Sequence, residues 1–155
     1  MRVSSSPAAR SGGCVLAIDY GRRRIGLALS DPLGLTARPL ATLERTNRRN
    51  DLRRLREIVR QHDVRRIVVG HPLHLDGTAG DMAAETARFA ARIEKQVGLP
   101  VELVDERLTS WEAEQVLAAT KVAAGKRAGK LDQVAAAVIL RDFLAREGER
   151  KRAKG

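Results

Sequence analysis

At 155 residues the chain has the size of one domain, long enough to bury a core without disulfides or a structural metal. Its 29 Lys and Arg against 19 Asp and Glu leave a formal net charge of +10, which predicts attraction to polyanions, nucleic acid first among them. A single cysteine, Cys14, excludes an intramolecular disulfide and zinc-finger spacing and suits a reducing cytoplasm. The longest uncharged apolar run in a helical pattern, 134–140, is far short of the roughly 20 residues of a membrane span. Aromatic residues make up only 3%, which excludes base stacking on aromatic platforms as the main binding device.

In chain order, residues 1–13 are mostly Ser, Gly, Pro, Ala and Arg with no apolar core of signal-peptide type, and are expected to be a flexible arm outside the fold. Residues 14–147 are expected to form a single domain, and the charge run from Arg146 to form either a solvated, fraying end or a weak phosphate-binding arm, with 148–155 a basic tail. Cys14 to Ile18 is a short apolar run and reads as a buried strand, followed by Asp19 and a turn opened by Tyr20-Gly21. Arg24 to Ser30 reads as a second strand and Arg38 to Leu43 as a third, with Pro39 marking a strand start or an edge. Their short connections predict an antiparallel meander.

Leu52, Leu55, Ile58 and Val59, with arginines between them, predict an amphipathic helix. Arg65 to Gly70 is the fourth strand. Met82, Thr86, Phe89, Ile93 and Val97 mark one face of a second helix, stopped by Gly98 and Pro100. Val101 to Asp105 is the fifth strand. Thr109 and Glu112 form a capping box that starts a helix running to about Thr120. Lys121 to Lys130 is a Gly-interrupted basic loop. The last helix begins near Leu131, and its run VAAAVIL is apolar almost all round, which predicts burial in the core. A meander followed by helix-strand-helix-strand predicts an α/β fold. Its five-stranded mixed sheet joins a three-strand antiparallel meander to two parallel strands, flanked by helices.

Three acids stand at the ends of buried elements. Asp19 follows the first strand, Glu106 follows the fifth, and Asp132 is expected in the first turn of the last helix. If the first and fifth strands are parallel and close, Asp19 and Glu106 emerge at the carboxyl edge of the sheet, where ligands of such folds bind. Each acid also fits an ordinary role: Asp19 as a turn opener, Glu106 as a surface partner of Arg107, Asp132 as a complement to a helix dipole. Asp31 before Pro32 and Asp76-Gly77 fit turns better, and Asp105 should face away from Glu106. Three converging carboxylates repel one another unless cations bind between them, and hard oxygen ligands favour Mg²⁺ or Mn²⁺. A pair of such ions suits phosphodiester hydrolysis.

Four segments carry a resemblance. They are Val15-Leu16-Ala17-Ile18-Asp19-Tyr20-Gly21 with Arg24-Ile25-Gly26-Leu27-Ala28, then Ile67-Val68-Val69-Gly70-x-Pro72-Leu73 with Asp76-Gly77-Thr78. They continue with Val104-Asp105-Glu106-Arg107-Leu108-Thr109-Ser110 and Lys130-Leu131-Asp132-x-x-Ala135-Ala136-Ala137-x-Ile139-Leu140. In this order, over roughly residues 14–147, they resemble the motifs of the YqgF (RuvX) family. The resemblance implies a ribonuclease-H-like fold and metal-dependent nuclease chemistry, either maturation of the 5′ end of pre-16S rRNA or Holliday-junction resolution. It places the catalytic, metal-holding acids at Asp19, Glu106 and Asp132. Where that family commonly reads Gly-Leu-Pro-Leu-Asn, this chain reads Gly70-His71-Pro72-Leu73-His74, so His71 and His74 are either loop histidines or proton-transfer groups.

Arg22, Arg23, Arg24, Arg107 and Lys130 are candidate phosphate contacts, and Lys121, Lys126, Arg127 and Lys130 a candidate basic flap over the substrate. Nucleic acid is the expected partner, and junction resolution would require a dimer. A binding module without catalysis is a rival reading, against which stand the three acids. An actin-like or sugar-kinase ATPase is another, but two such domains are needed to close over a nucleotide.

Overall fold

The computed structural model describes residues 13–74, 76–106 and 128–154. Cys14–Tyr20 (β1), Arg24–Ser30 (β2) and Ala37–Glu44 (β3) form the antiparallel meander. Val64–His71 (β4) runs parallel to β1, and Val101–Asp105 (β5) parallel to β4, in a five-stranded sheet of order β3-β2-β1-β4-β5. The connections explain the directions. Short turns after β1 and β2 return the chain antiparallel. Helices Arg48–Gln61 (α1) and Asp81–Val97 (α2) carry it back across the sheet, so that β4 and β5 start from the same end as β1.

Alternation along the strands divides the core in two. Leu16 and Ile18 of β1, Ile25 and Leu27 of β2 and Ile67 and Val69 of β4 pack under Leu52 and Leu55 of α1 and Phe89 and Ile93 of α2. Val15, Ala17, Ala28, Val68 and Val104 point the other way, onto Ala136, Leu140 and Phe143 of the last helix, Ala128–Lys154 (α3). Being covered on both faces, β1 has apolar neighbours on each side, which is why its sequence is a continuous run rather than an alternation. The edge strand β3 carries Pro39 opposite Ala28, beside a register shift, and an edge strand tolerates a residue without an N–H. Asn47 caps α1 by accepting from the Asn50 N–H, and Gly98 ends α2 in the left-handed region at φ 81°.

Three expectations change. β1 runs on to Tyr20 because Tyr20 still pairs with Ile25, so Asp19 lies within the strand, opposite Gly26, rather than after it. α3 begins at Ala128, so residues 128–130 belong to the helix and not to the basic loop, and Asp132 stands beyond the first turn, which contains no acid. One glycine in a helix costs only about 1 kcal/mol, a small penalty beside the packing of α3 on the sheet. The charge run from Arg146 is helical and continues α3 to Lys154. The helix expected at Thr109–Thr120, Arg107 and the loop cations Lys121, Lys126 and Arg127 lie outside the described residues. Among the described residues no helix is long and apolar enough to cross a membrane.

Candidate active site

The sheet register sets the three acids on one face of the sheet, the face covered by α3. On β1, Val15 and Ala17 face α3, and Asp19 is the next residue on that face. Asp19 pairs with Gly26 of β2 on one side, and since Ile18 pairs with Val69 it lies level with Gly70 of β4 on the other. Both flanking glycines are covered by another acid. A side-chain carbon at Gly26 would collide with the backbone carbonyl of Asp132, whose Cβ is 3.0 Å from that position. One at Gly70 would sit 3.2 Å from Cγ and Cδ of Glu106 and 2.7 Å from Ile139. Glu106 reaches there because Gly70 pairs with Val104, two residues before it on the same face. Two strand spacings of about 4.8 Å therefore span the patch.

Asp132 is bonded through Oδ2 to Arg24 Nε at 2.7 Å, and both side chains are three-quarters buried. This bond raises the Arg24 guanidinium, already a permanent cation. Burial pushes the Glu106 carboxyl up, and the neighbouring Asp105 charge adds to the effect, so Glu106 holds a proton more readily than an ordinary glutamate. With Asp132 directed at Arg24, the acids share a face without closing into a ligand set. Among the described residues no three His, Cys, Asp or Glu side chains are grouped to hold an ion as they stand.

The other candidates divide. Arg24 belongs to the acid patch. Arg22 is drawn the other way, to Glu85 of α2 at 3.0 Å, where Glu85 also accepts from the Tyr20 hydroxyl at 2.6 Å. The Arg23 side chain is exposed, and its carbonyl accepts from the Arg45 N–H. Lys130 lies in the first turn of α3. His71 ends β4 opposite Asp105, half-buried. His74 is exposed in a loop closed by its own backbone bonds to Thr78 and Gly77 and by Asp76 capping the Thr78 N–H. The expected turns at Asp31 and Asp76-Gly77 are present: Asp31 accepts from the Leu35 and Thr36 N–H groups, and Gly77 has φ 90°.

A supporting cluster was not anticipated. Asp51 is 1% exposed on α1 and accepts from Arg45, Arg54 and the Thr46 N–H. Arg45 in turn donates to the Gly21 carbonyl at 3.0 Å and lies over the Tyr20 and Phe89 rings. This ties the turn that follows Asp19 to α1. The signal was available: Asp51 stands four residues before Leu55 and beside Leu52, on the apolar face of its helix.

Gly26→Ala is expected to destabilise the fold by about 1–3 kcal/mol, since the clash is with backbone that cannot rotate away. The loss is read as a lower urea midpoint.

The sequence model of the family described as RuvX, Holliday junction resolvase, matches residues 13–146. A protein of Koribacter versatilis named a pre-16S rRNA nuclease is 48% identical over 136 residues, covering 88% of this chain and 89% of that protein. One of Syntrophus aciditrophicus with the same name is 47% identical over 130 residues, covering 84% and 87%. Among solved structures, T. thermophilus RuvC in complex with Holliday junction substrate superposes with a TM-score of 0.59 at 18% identity, covering 87% of this chain and 96% of that one. At that identity the likeness concerns the fold, which is that of ribonuclease H. With sequence and fold in agreement over the acid-bearing segments, the chain belongs to the RuvX family.

Proposed function

We propose that the chain is a divalent-metal-dependent nuclease that hydrolyses phosphodiester bonds, acting in the cytoplasm on the 5′ end of pre-16S rRNA. The observation that carries the reading is that Asp19, Glu106 and Asp132, distant in sequence, share one patch on the α3 face of the sheet. The names of the curated relatives support the choice of substrate.

The donor set fits Mg²⁺ or Mn²⁺. It consists of carboxylate oxygens, the hard ligands that these ions take. Asp19, Glu106 and Asp132 would hold the ions, two by analogy with other phosphodiester hydrolases. When bound, such ions stabilise charge at phosphorus and make water acidic enough to attack at neutral pH. The protein supplies the rest. β1 holds Asp19 rigidly between two paired strands, the glycines beside it leave room for Glu106 and α3, and Arg24 keeps a guanidinium at the patch to receive a phosphate oxygen. Arg23, Arg107 and Lys130 are proposed phosphate contacts, and Arg22 one that must first leave Glu85. Water adds to phosphorus as the bond to the 3′ oxygen breaks, leaving a 5′-phosphate and a 3′-hydroxyl.

The purified chain is expected to cut RNA in Mg²⁺ or Mn²⁺ and to stop when EDTA removes the ion. Cutting that persists in EDTA would overturn the metal-dependent reading. The family's description favours a second substrate, the four-way DNA junction. Paired symmetric cuts in a junction, made by a dimer, with matched RNA left intact would select it.

A further inference from the structure

Helix α1 carries arginines whose partners separate them into two sets. Arg54 is bonded to the buried Asp51, and Arg53 to Glu57 one turn on. Arg48, Arg49 and Arg56 are exposed and form no ion pair among the described residues. With Leu52 and with Gln96 of α2 they line a groove of about 470 Å³. Three unneutralised guanidinium groups around one groove repel one another, and a polyanion relieves that repulsion.

The helix that carries the groove is tied to the turn beside the acid patch. Arg45, shortly before α1, donates its backbone N–H to the Arg23 carbonyl at 2.9 Å and its Nη1 to the Gly21 carbonyl at 3.0 Å. The start of α1 is thereby fastened to the turn that leaves Asp19, and Gly21 is two residues from Asp19, at about 3.3 Å per strand residue. Arg23 is exposed on that turn, and the exposed Arg48 and Arg49 open α1, which packs on the face of the sheet opposite α3. From Arg48 to Arg56 the helix advances about 12 Å, comparable to three or four nucleotide steps of about 3.4 Å in a stacked strand.

We propose that this groove is a second phosphate-binding surface, which holds the sugar-phosphate backbone of the nucleic-acid substrate at a distance from the bond that is cut. The proposal rests on the nuclease reading above. The groove carries no base-reading aromatic, so its contribution is sequence-independent and set by salt.

The test measures binding of a long labelled single-stranded RNA to the full chain in EDTA, across a series of KCl concentrations. Replacing Arg48, Arg49 and Arg56 together by Gln removes three phosphate contacts and should flatten the slope of log K against log salt by about 2, at roughly 0.7 per contact. The corresponding triple Lys variant should keep the wild-type slope. A charge-matched control on α3, Arg141→Gln with Lys151→Gln and Arg152→Gln, should change the slope little. An unchanged slope in the α1 variant, as expected if the groove serves an acidic protein instead, would overturn the proposal. So would an equal loss in the α3 control. Because binding is read without metal, a wild-type chain that cuts nothing would remove the nuclease reading and leave this measurement legible. An unchanged slope in an active nuclease would remove only the groove.

Discussion

Asp19→Asn is expected to lower cleavage by about a thousandfold or more, the scale seen when a central catalytic group is removed from a site that works as a unit. RNA binding should stay the same or tighten. The substitution keeps the size and polarity of the side chain and takes away one negative charge. Because β1 is paired on both sides, the backbone at Asp19 is held by β2 and β4, and the variant should fold and melt like the parent. Binding can improve because a charge that repels phosphate has gone, while the cations of the surface remain. Cleavage and binding must be measured on the same preparation. Cutting at the parental rate would remove Asp19, and with it the acid patch, from the chemistry.

Asp51→Ala should cost about 3–5 kcal/mol of stability, the penalty for leaving a buried guanidinium without its partner. Burial alone would raise the Asp51 carboxyl. Arg45, the Thr46 N–H and Arg54 more than offset this and hold it below the usual aspartate range. A carboxyl depressed in the folded state stabilises the protein above its unfolded pKa, and that stabilisation is lost as pH falls through the folded value. The gap between parent and variant should therefore be full at neutral pH and narrow as the pH drops below about 4. Urea midpoints at neutral and acid pH check this. A gap that widens in acid would mean that Asp51 is not the anion holding Arg45. The variant should also lose activity beyond its loss of stability, since Arg45 fastens the turn after Asp19 through the Gly21 carbonyl.

What could be read in advance followed from local physics. The apolar runs at 14–18 and 67–69, the Leu52/Leu55 and Phe89/Ile93 spacings and the Gly98 stop each state a local preference that packing upheld. Pro39 marked a strand start or an edge, because a residue without an N–H cannot sit in a central ladder, and β3 is an edge strand. Element ends were less legible. Whether β1 stops at Ile18 or Tyr20 depends on how far β2 continues to pair with it, and the start of α3 depends on the sheet it covers. Local sequence contains neither fact.

The candidate site shows the same division. That acids stood at Asp19, Glu106 and Asp132, beside a surplus of arginines, was plain from the order of residues along the chain. That they share a patch came from the parallel pairing of β1 with β4 and β4 with β5, and from two glycines that let Glu106 and α3 approach. Arg22 and Arg24, two residues apart, went to opposite sides of the sheet, one to Glu85 and the other to Asp132. Side chains next to each other in sequence say nothing about which distant group they will meet. Periodicity, turn chemistry and net charge are properties of neighbours along the chain, so they were settled before folding. The partners of Asp132, Asp51 and Arg45 are set by contacts between distant segments, and only the folded sheet with its helices could choose them.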